Sequence, residues 1–159
     1  MLACSLGTFW LLLRPMNRSE FEALRNLPNK QINADIRFEL KQATSPNLTF
    51  EEVLVQNALQ YEVVLNGTFK PDLPSVTFNF VLRGGSPICR VCVNGTMHSG
   101  AGRTHKHDLR REGDPRNNLP AAFARPELSE LSVREVWETL LRQANIVHKG
   151  NFYSPDIHP

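Results

Sequence analysis

Strict alternation of apolar and polar residues is the feature that most constrains this chain. From Gln31 to Lys41, Ile32, Ala34, Ile36, Phe38 and Leu40 fall on one side. Asn33, Asp35, Arg37, Glu39 and Lys41 fall on the other. A period of two is the signature of a strand buried on one face and wet on the other. The pattern recurs downstream. Leu48 to Val55 is a second extended run. Leu59, Tyr61, Val63 and Leu65 make a third, continuing past Gly67 to Phe69 through a bulge. Val76, Phe78, Phe80 and Leu82 make a fourth, and Ile88 to Val93 a fifth. Turn residues at Pro71–Pro74 and Gly84-Gly85 punctuate the runs. Short strands joined by tight turns predict an antiparallel meander.

Such a sheet needs a cover on its apolar face. Ser132 to Asn145 supplies one. It opens on a capping box, Ser132 with Glu135, and Val133, Val136, Trp137, Leu140, Leu141 and Ala144 recur at helical spacing. A shorter helix, Ser19 to Leu27, is expected to open on Ser19 and Glu22. The expected fold class is therefore α+β. It comprises a curved antiparallel sheet of about five strands, one long C-terminal helix packed on it, and a short N-terminal helix.

The 159 residues suffice for one domain with a real core. Apolar content of 41% and charged content of 21% exclude wholesale disorder. We expect residues 16–155 to form the domain and 156–159 a tail. Residues 1–15, MLACSLGTFWLLLRP, are apolar but too short to span a bilayer, and they lack the leading positive charge of a signal peptide. They read as an extension outside the fold, with Met16 as an alternative start, or as a short membrane-associating segment. Three cysteines, Cys4, Cys89 and Cys92, argue against a disulfide framework and fit a reducing cytoplasm. No membrane partner is expected. Asn17, Asn47, Asn66 and Asn94 each begin an Asn-x-Ser/Thr triplet, which matters only in a secretory context.

About 38 residues with little periodicity, Asn94 to Leu131, separate the fifth strand from the long helix, and a connection of that length points to function. Its start is rich in glycine and histidine: Asn94-Gly-Thr-Met-His98-Ser-Gly-Ala-Gly-Arg103-Thr-His105-Lys106-His107-Asp108. In an extended chain His105 and His107 share a face and can address one point. Arg103, Lys106, Arg110, Arg111 and Arg116, with Arg90 just upstream, make the surroundings basic, offset in part by Asp108, Glu112 and Asp114. A basic patch of this kind suits phosphate.

Three uses fit these residues. His98, His105 and His107 can surround zinc or another divalent metal, with Asp108 or Glu112 in support. Without a metal, His105, His107 and His98 can serve as base and acid, while Arg103, Lys106, Arg110 and Arg111 hold a phosphodiester. That combination is the equipment of metal-independent RNA cleavage, and it needs no cofactor. In the third use the histidines bond backbone carbonyls and pin the loop to the sheet. Cys89-Arg-Val-Cys92 resembles a zinc knuckle, but residues three apart on a strand face opposite ways, so both read as structural. His148 follows the long helix, where it can return to the histidine loop or serve as a C-terminal cation. His158 lies in the tail.

Gly102-x-x-His105-Lys-His107, a proline-containing loop, Val136-Trp137 and Ala144-Asn-Ile-x-His148-x-Gly150 together resemble an uncharacterised family of small bacterial and prophage proteins, over roughly Leu27 to Pro155. The resemblance implies a mobile-element context. His105-Lys106-His107 between strands and a helix is also similar to small toxins of bacterial toxin–antitoxin systems, whose motif is the denser P-H-H-x-H; Arg103-Thr104 stand here in place of its proline and one histidine. That similarity implies RNA as substrate and an antitoxin as partner. The alternative expectation is a phage or plasmid accessory protein that binds and inhibits a host protein through a sheet face or edge.

Overall fold

A computed structural model describes residues 16–43, 45–109, 119 and 121–156. Its centre is a seven-stranded antiparallel meander with its strands in chain order. The strands are β3 (Glu39–Leu40), β4 (Leu48–Val55), β5 (Val63–Lys70), β6 (Ser75–Leu82), β7 (Pro87–Val93), β8 (His105–Asp108) and β9 (Ala122–Ala124). Two parallel pairs lie outside it: β1 (Lys30–Ile32) with β10 (Ile146–His148), and β2 (Ile36–Arg37) with β11 (Phe152–Tyr153). The helices are α1 (Arg18–Asn26) and α2 (Val133–Gln143), nine and eleven residues long.

The expected fold class is thus corrected. The described residues are mostly sheet, with seven central strands in place of about five, and two short helices in place of one long C-terminal and one short N-terminal helix. Two physical causes account for the difference. The alternating run from Gln31 to Lys41 is not one strand. It breaks into β1, β2 and β3, which pair with β10, β11 and β4 respectively, and only Ile32 and Ile36 of its apolar set are fully buried. The connection after the fifth strand holds two more strands, β8 and β9; His-Lys-His-Asp is polar and Ala-Phe-Ala is only three residues long, so neither carries an apolar alternation.

Smaller shifts have local causes. The capping box of α1 is Asn17 with Glu20 and not Ser19 with Glu22: Glu20 N donates to Asn17 Oδ1 at 2.9 Å, and Asn17 N to Glu20 Oε2 at 3.0 Å. Starting there buries Phe21 and Leu24 and frees Glu22 to pair with Arg18 one turn back. The bulge lies on β4 between Phe50 and Val53, where Glu52 takes a positive φ, while β5 runs unbroken through Gly67. On α2 the Ser132–Glu135 box is formed at both ends.

The core lies between the inner sheet face and the helices. Trp137 stacks on Phe152 with ring centroids 4.8 Å apart, and it meets Phe78 and Phe50 at 5.5 and 6.3 Å. The chain ends close against each other. Lys149 N donates to Ile32 O, and Ile36 N donates to Asn151 O. Asp156 accepts from Val133 N at the start of α2. Among the described residues no helix is long and apolar enough to cross a membrane.

Candidate functional site: a histidine cluster on the outer sheet face

Strand register assigns each residue of the site to a face. Thr68, Thr77, Cys92, His105 and Ala124 are successive cross-strand neighbours, and so are Asn66, Asn79, Arg90, His107 and Ala122. Directly opposed residues project to the same side. These two rows form the outer face, away from the aromatic core. The inner rows run Gly67, Phe78, Val91, Lys106, Phe123 and Leu65, Phe80, Cys89, Asp108. The histidine pair therefore belongs to an interior strand of the sheet and not to a loop.

The segment after β7 turns back over this outer face. Asn94 N donates to Thr104 Oγ1, Gly95 N to Arg103 O, and His98 N to Gly102 O. Gly100 and Gly102 have φ of 78° and 74°, a region closed to most side chains, and they make the reversal possible. The hairpin carries His98 onto the pair. The ring centroids of His98, His105 and His107 lie 4.9, 5.0 and 5.2 Å apart, a near-equilateral triangle.

Two of the rings are locked. His105 Nδ1 donates to Gly102 O at 2.9 Å, and His107 Nδ1 donates to Leu119 O at 2.7 Å. A carbonyl oxygen only accepts, so in the neutral ring the proton sits on Nδ1 and Nε2 keeps its lone pair. His107 is 1% exposed, and among the described residues its Nε2 has no hydrogen-bond partner. His98 Nδ1 is likewise buried without one. Burial pushes His107 down to about 4, assisted by the Arg90 guanidinium on the adjoining strand. His105 is also buried, at 4% exposure, and burial lowers it as well, with the neighbouring His98 and Arg90 adding to the effect. Both shifts favour the neutral ring.

The other expected site residues separate. Lys106 alternates to the inner face, where its Nζ lies 3.8 Å from Asp108 Oδ2 beside an apolar cavity of about 60 Å³. Asp108 is 1% exposed and also meets Arg18 Nη1 at 3.2 Å. Arg103 is exposed on the hairpin and bonds Gly95 O. Arg110, Arg111, Arg116, Glu112 and Asp114 lie outside the described residues, as do Cys4 and His158. His148 does not join the cluster: its Nε2 donates to Ala34 O at 2.8 Å and its ring packs on Trp137. Cys89 is buried on the inner face, which pushes its thiol up to about 11, and Cys92 is on the outer face opposite His105. Arg90 is the residue whose place in the site sequence reasoning missed. It was visible only as part of a basic patch, and the β7–β8 register brings it to His107. Among the described residues no group of three or more His, Cys, Asp or Glu side chains is arranged so that it could hold a metal ion.

No known protein family, curated protein or solved structure matches this chain.

Proposed function

We propose that the protein cleaves phosphodiesters in nucleic acid, with RNA as the favoured substrate, at the histidine cluster of its outer sheet face. The observation that carries this reading is the triangle of imidazoles. Two of its rings are held with Nδ1 on a carbonyl, so that Nε2 is free to accept. His105 is suited to take the proton of an attacking 2′-hydroxyl, whose oxygen bonds to phosphorus as the P–O5′ bond breaks. His98, only partly buried on the hairpin, is the ring placed to give a proton to the departing O5′. His107 is too buried and too weakly basic to donate a proton at neutral pH, and it serves to position the other two. Arg90 on the same face and Arg103 on the hairpin supply cations for the phosphate.

The test is cleavage of a labelled single-stranded RNA by the purified full chain. His105→Ala is expected to lower the rate by about 10²–10⁴-fold, the usual contribution of a positioned base. Circular dichroism should be unchanged. Arg90→Gln should weaken the reaction less. Undiminished cleavage by folded His105→Ala, or no cleavage of RNA or DNA by the wild type, refutes the proposal.

A further inference from the structure

We propose that His98, His105 and His107 form a binding site for one divalent transition metal ion of the zinc class. The inference rests on the cluster itself; a metal on His105 Nε2 takes the lone pair that the cleavage reading uses as base, so metal loading should suppress any metal-free cleavage.

Three observations converge on it. The first is spacing. With Zn–N bonds of about 2.0–2.1 Å and tetrahedral angles, three imidazoles on one zinc place their ring centres about 5 Å apart. The centroids here are 4.9, 5.0 and 5.2 Å apart. The second is the unpartnered nitrogens. His107 Nε2 and His98 Nδ1 are buried acceptors without a hydrogen bond. Leaving such an atom unsatisfied costs about 1–3 kcal/mol, and native folds seldom tolerate it without a ligand or water. The third is the support behind the rings. Metal-bound histidines generally donate their second ring nitrogen to a carbonyl or carboxylate, which fixes the tautomer and aims the other nitrogen. His105 and His107 both do this, to Gly102 O and Leu119 O.

The rings cross at 59°, 72° and 81°, and in this arrangement the three side chains do not make a metal site. Closure needs ring rotation about χ2, a soft torsion in histidine. The hairpin ring of His98 is the one placed to make it, since among the described residues its Nδ1 has no hydrogen bond to give up. Imidazole ligands suit zinc, copper, iron and nickel, and not calcium or magnesium. Cys92, on the same face opposite His105, adds a soft donor nearby that also favours the zinc class.

The experiment is titration of cobalt(II), then zinc(II), into untagged protein stripped of metal. The expected result is one equivalent bound, with the visible absorption of tetrahedral cobalt, bleached when zinc displaces it. His98→Ala should weaken zinc binding at least tenfold without loss of the far-ultraviolet spectrum, because it removes a ligand outside the sheet. His148→Gln, at a histidine outside the triangle, should bind like the wild type. Absence of cobalt absorption, or equal zinc affinity in wild type and His98→Ala, overturns the proposal. The cleavage test is read separately. Activity that survives complete metal removal leaves the proposed function standing and takes the metal out of it. A bound metal without cleavage does the reverse.

Discussion

Replacing Gly150 with alanine should be among the most damaging single-methyl additions in this protein. A Cβ built at Gly150 lies 2.3 Å from Ala34 O, 2.6 Å from Ala34 C and 2.9 Å from Asp35 N. All three obstacles are backbone, so no side chain can swing aside. One of the two segments must move by about 1 Å to restore ordinary contact. That movement strains Lys149 N to Ile32 O at 2.9 Å, Ile36 N to Asn151 O at 2.8 Å and Asn151 N to Asp35 Oδ1 at 2.8 Å. Each such bond contributes about 0.5–1.5 kcal/mol net, so weakening the set costs roughly 2–4 kcal/mol. The reduced freedom of the unfolded chain returns only about 0.4–1 kcal/mol. The net expectation is about 2 kcal/mol, which for a chain of this length lowers Tm by roughly 4–8 °C. Urea titration with an unchanged m-value, alongside a thermal melt, measures it. Gly85→Ala is the control, since its nearest obstacle is 3.4 Å away, and it should fall within about 0.5 kcal/mol of wild type. A Gly150→Ala protein as stable as that control would refute the claim that close backbone approach ties the C-terminal strands to β1 and β2.

Gly67 makes the contrasting case. A Cβ there would lie 2.1 Å from the Phe50 ring, which is held by Phe38 at 5.0 Å and Trp137 at 6.3 Å, so Gly67→Ala should cost about 1–3 kcal/mol by overpacking. Phe50→Leu should recover part of that in a double-mutant cycle by urea denaturation; strictly additive losses would contradict the contact. Lys30 is 3% exposed, and burial lowers it from 10.5 to about 8. The penalty for its charge is fully present below pH 8. It is relieved as pH rises from about 8 toward 10.5, because the folded protein has shed a proton that the unfolded chain still holds. Wild-type stability should therefore rise relative to Lys30→Met across that window, and parallel pH profiles would show that the ammonium is not desolvated. Lys30 Nζ also bonds Arg25 O and Leu27 O at the end of α1, so Lys30→Met should loosen that helix end as well, read as faster amide exchange there.

Legibility of the fold tracks how local its causes are. The β4–β7 meander was readable in outline because its strands carry apolar runs and two of its three connections carry turn residues, but the third run opens at Leu59, whereas β5 starts at Val63 and Leu59 and Tyr61 lie before it. Trp137 and the apolar face of α2 were readable from helical spacing. The division of Gln31–Lys41 was not, because it is imposed by β10 and β11, which approach from more than a hundred residues away and pair in parallel. β8 and β9 escaped detection for another reason. His-Lys-His-Asp carries no apolar signal, and its burial under the hairpin and against Leu119 is a tertiary fact. The site divides along the same line. That His105 and His107 share a face follows from period two alone. The same rule sends Lys106 to the opposite face, a consequence that grouping it by charge with Arg103 obscures. The arrival of His98 depends on Gly100 and Gly102, and that of Arg90 on strand register.

The energetics of His107 separate a structural reading of the cluster from a chemical one. Pinning β8 to the segment at Leu119 requires only the Nδ1–H donor. It does not require that Nε2, on the far side of the ring, be buried without a partner. An apolar side chain of similar volume would fill the position without desolvating an acceptor, and burial of an unmatched polar atom opposes folding. His98 repeats the arrangement at Nδ1, and its ring is brought to within 5.0 Å of His107 by a hairpin that needs two glycines in an unusual backbone region. One unsatisfied imidazole nitrogen is an isolated defect. Two, on rings converging from separate segments of chain, are the arrangement expected where local stability is given up for a site that takes a proton or a cation.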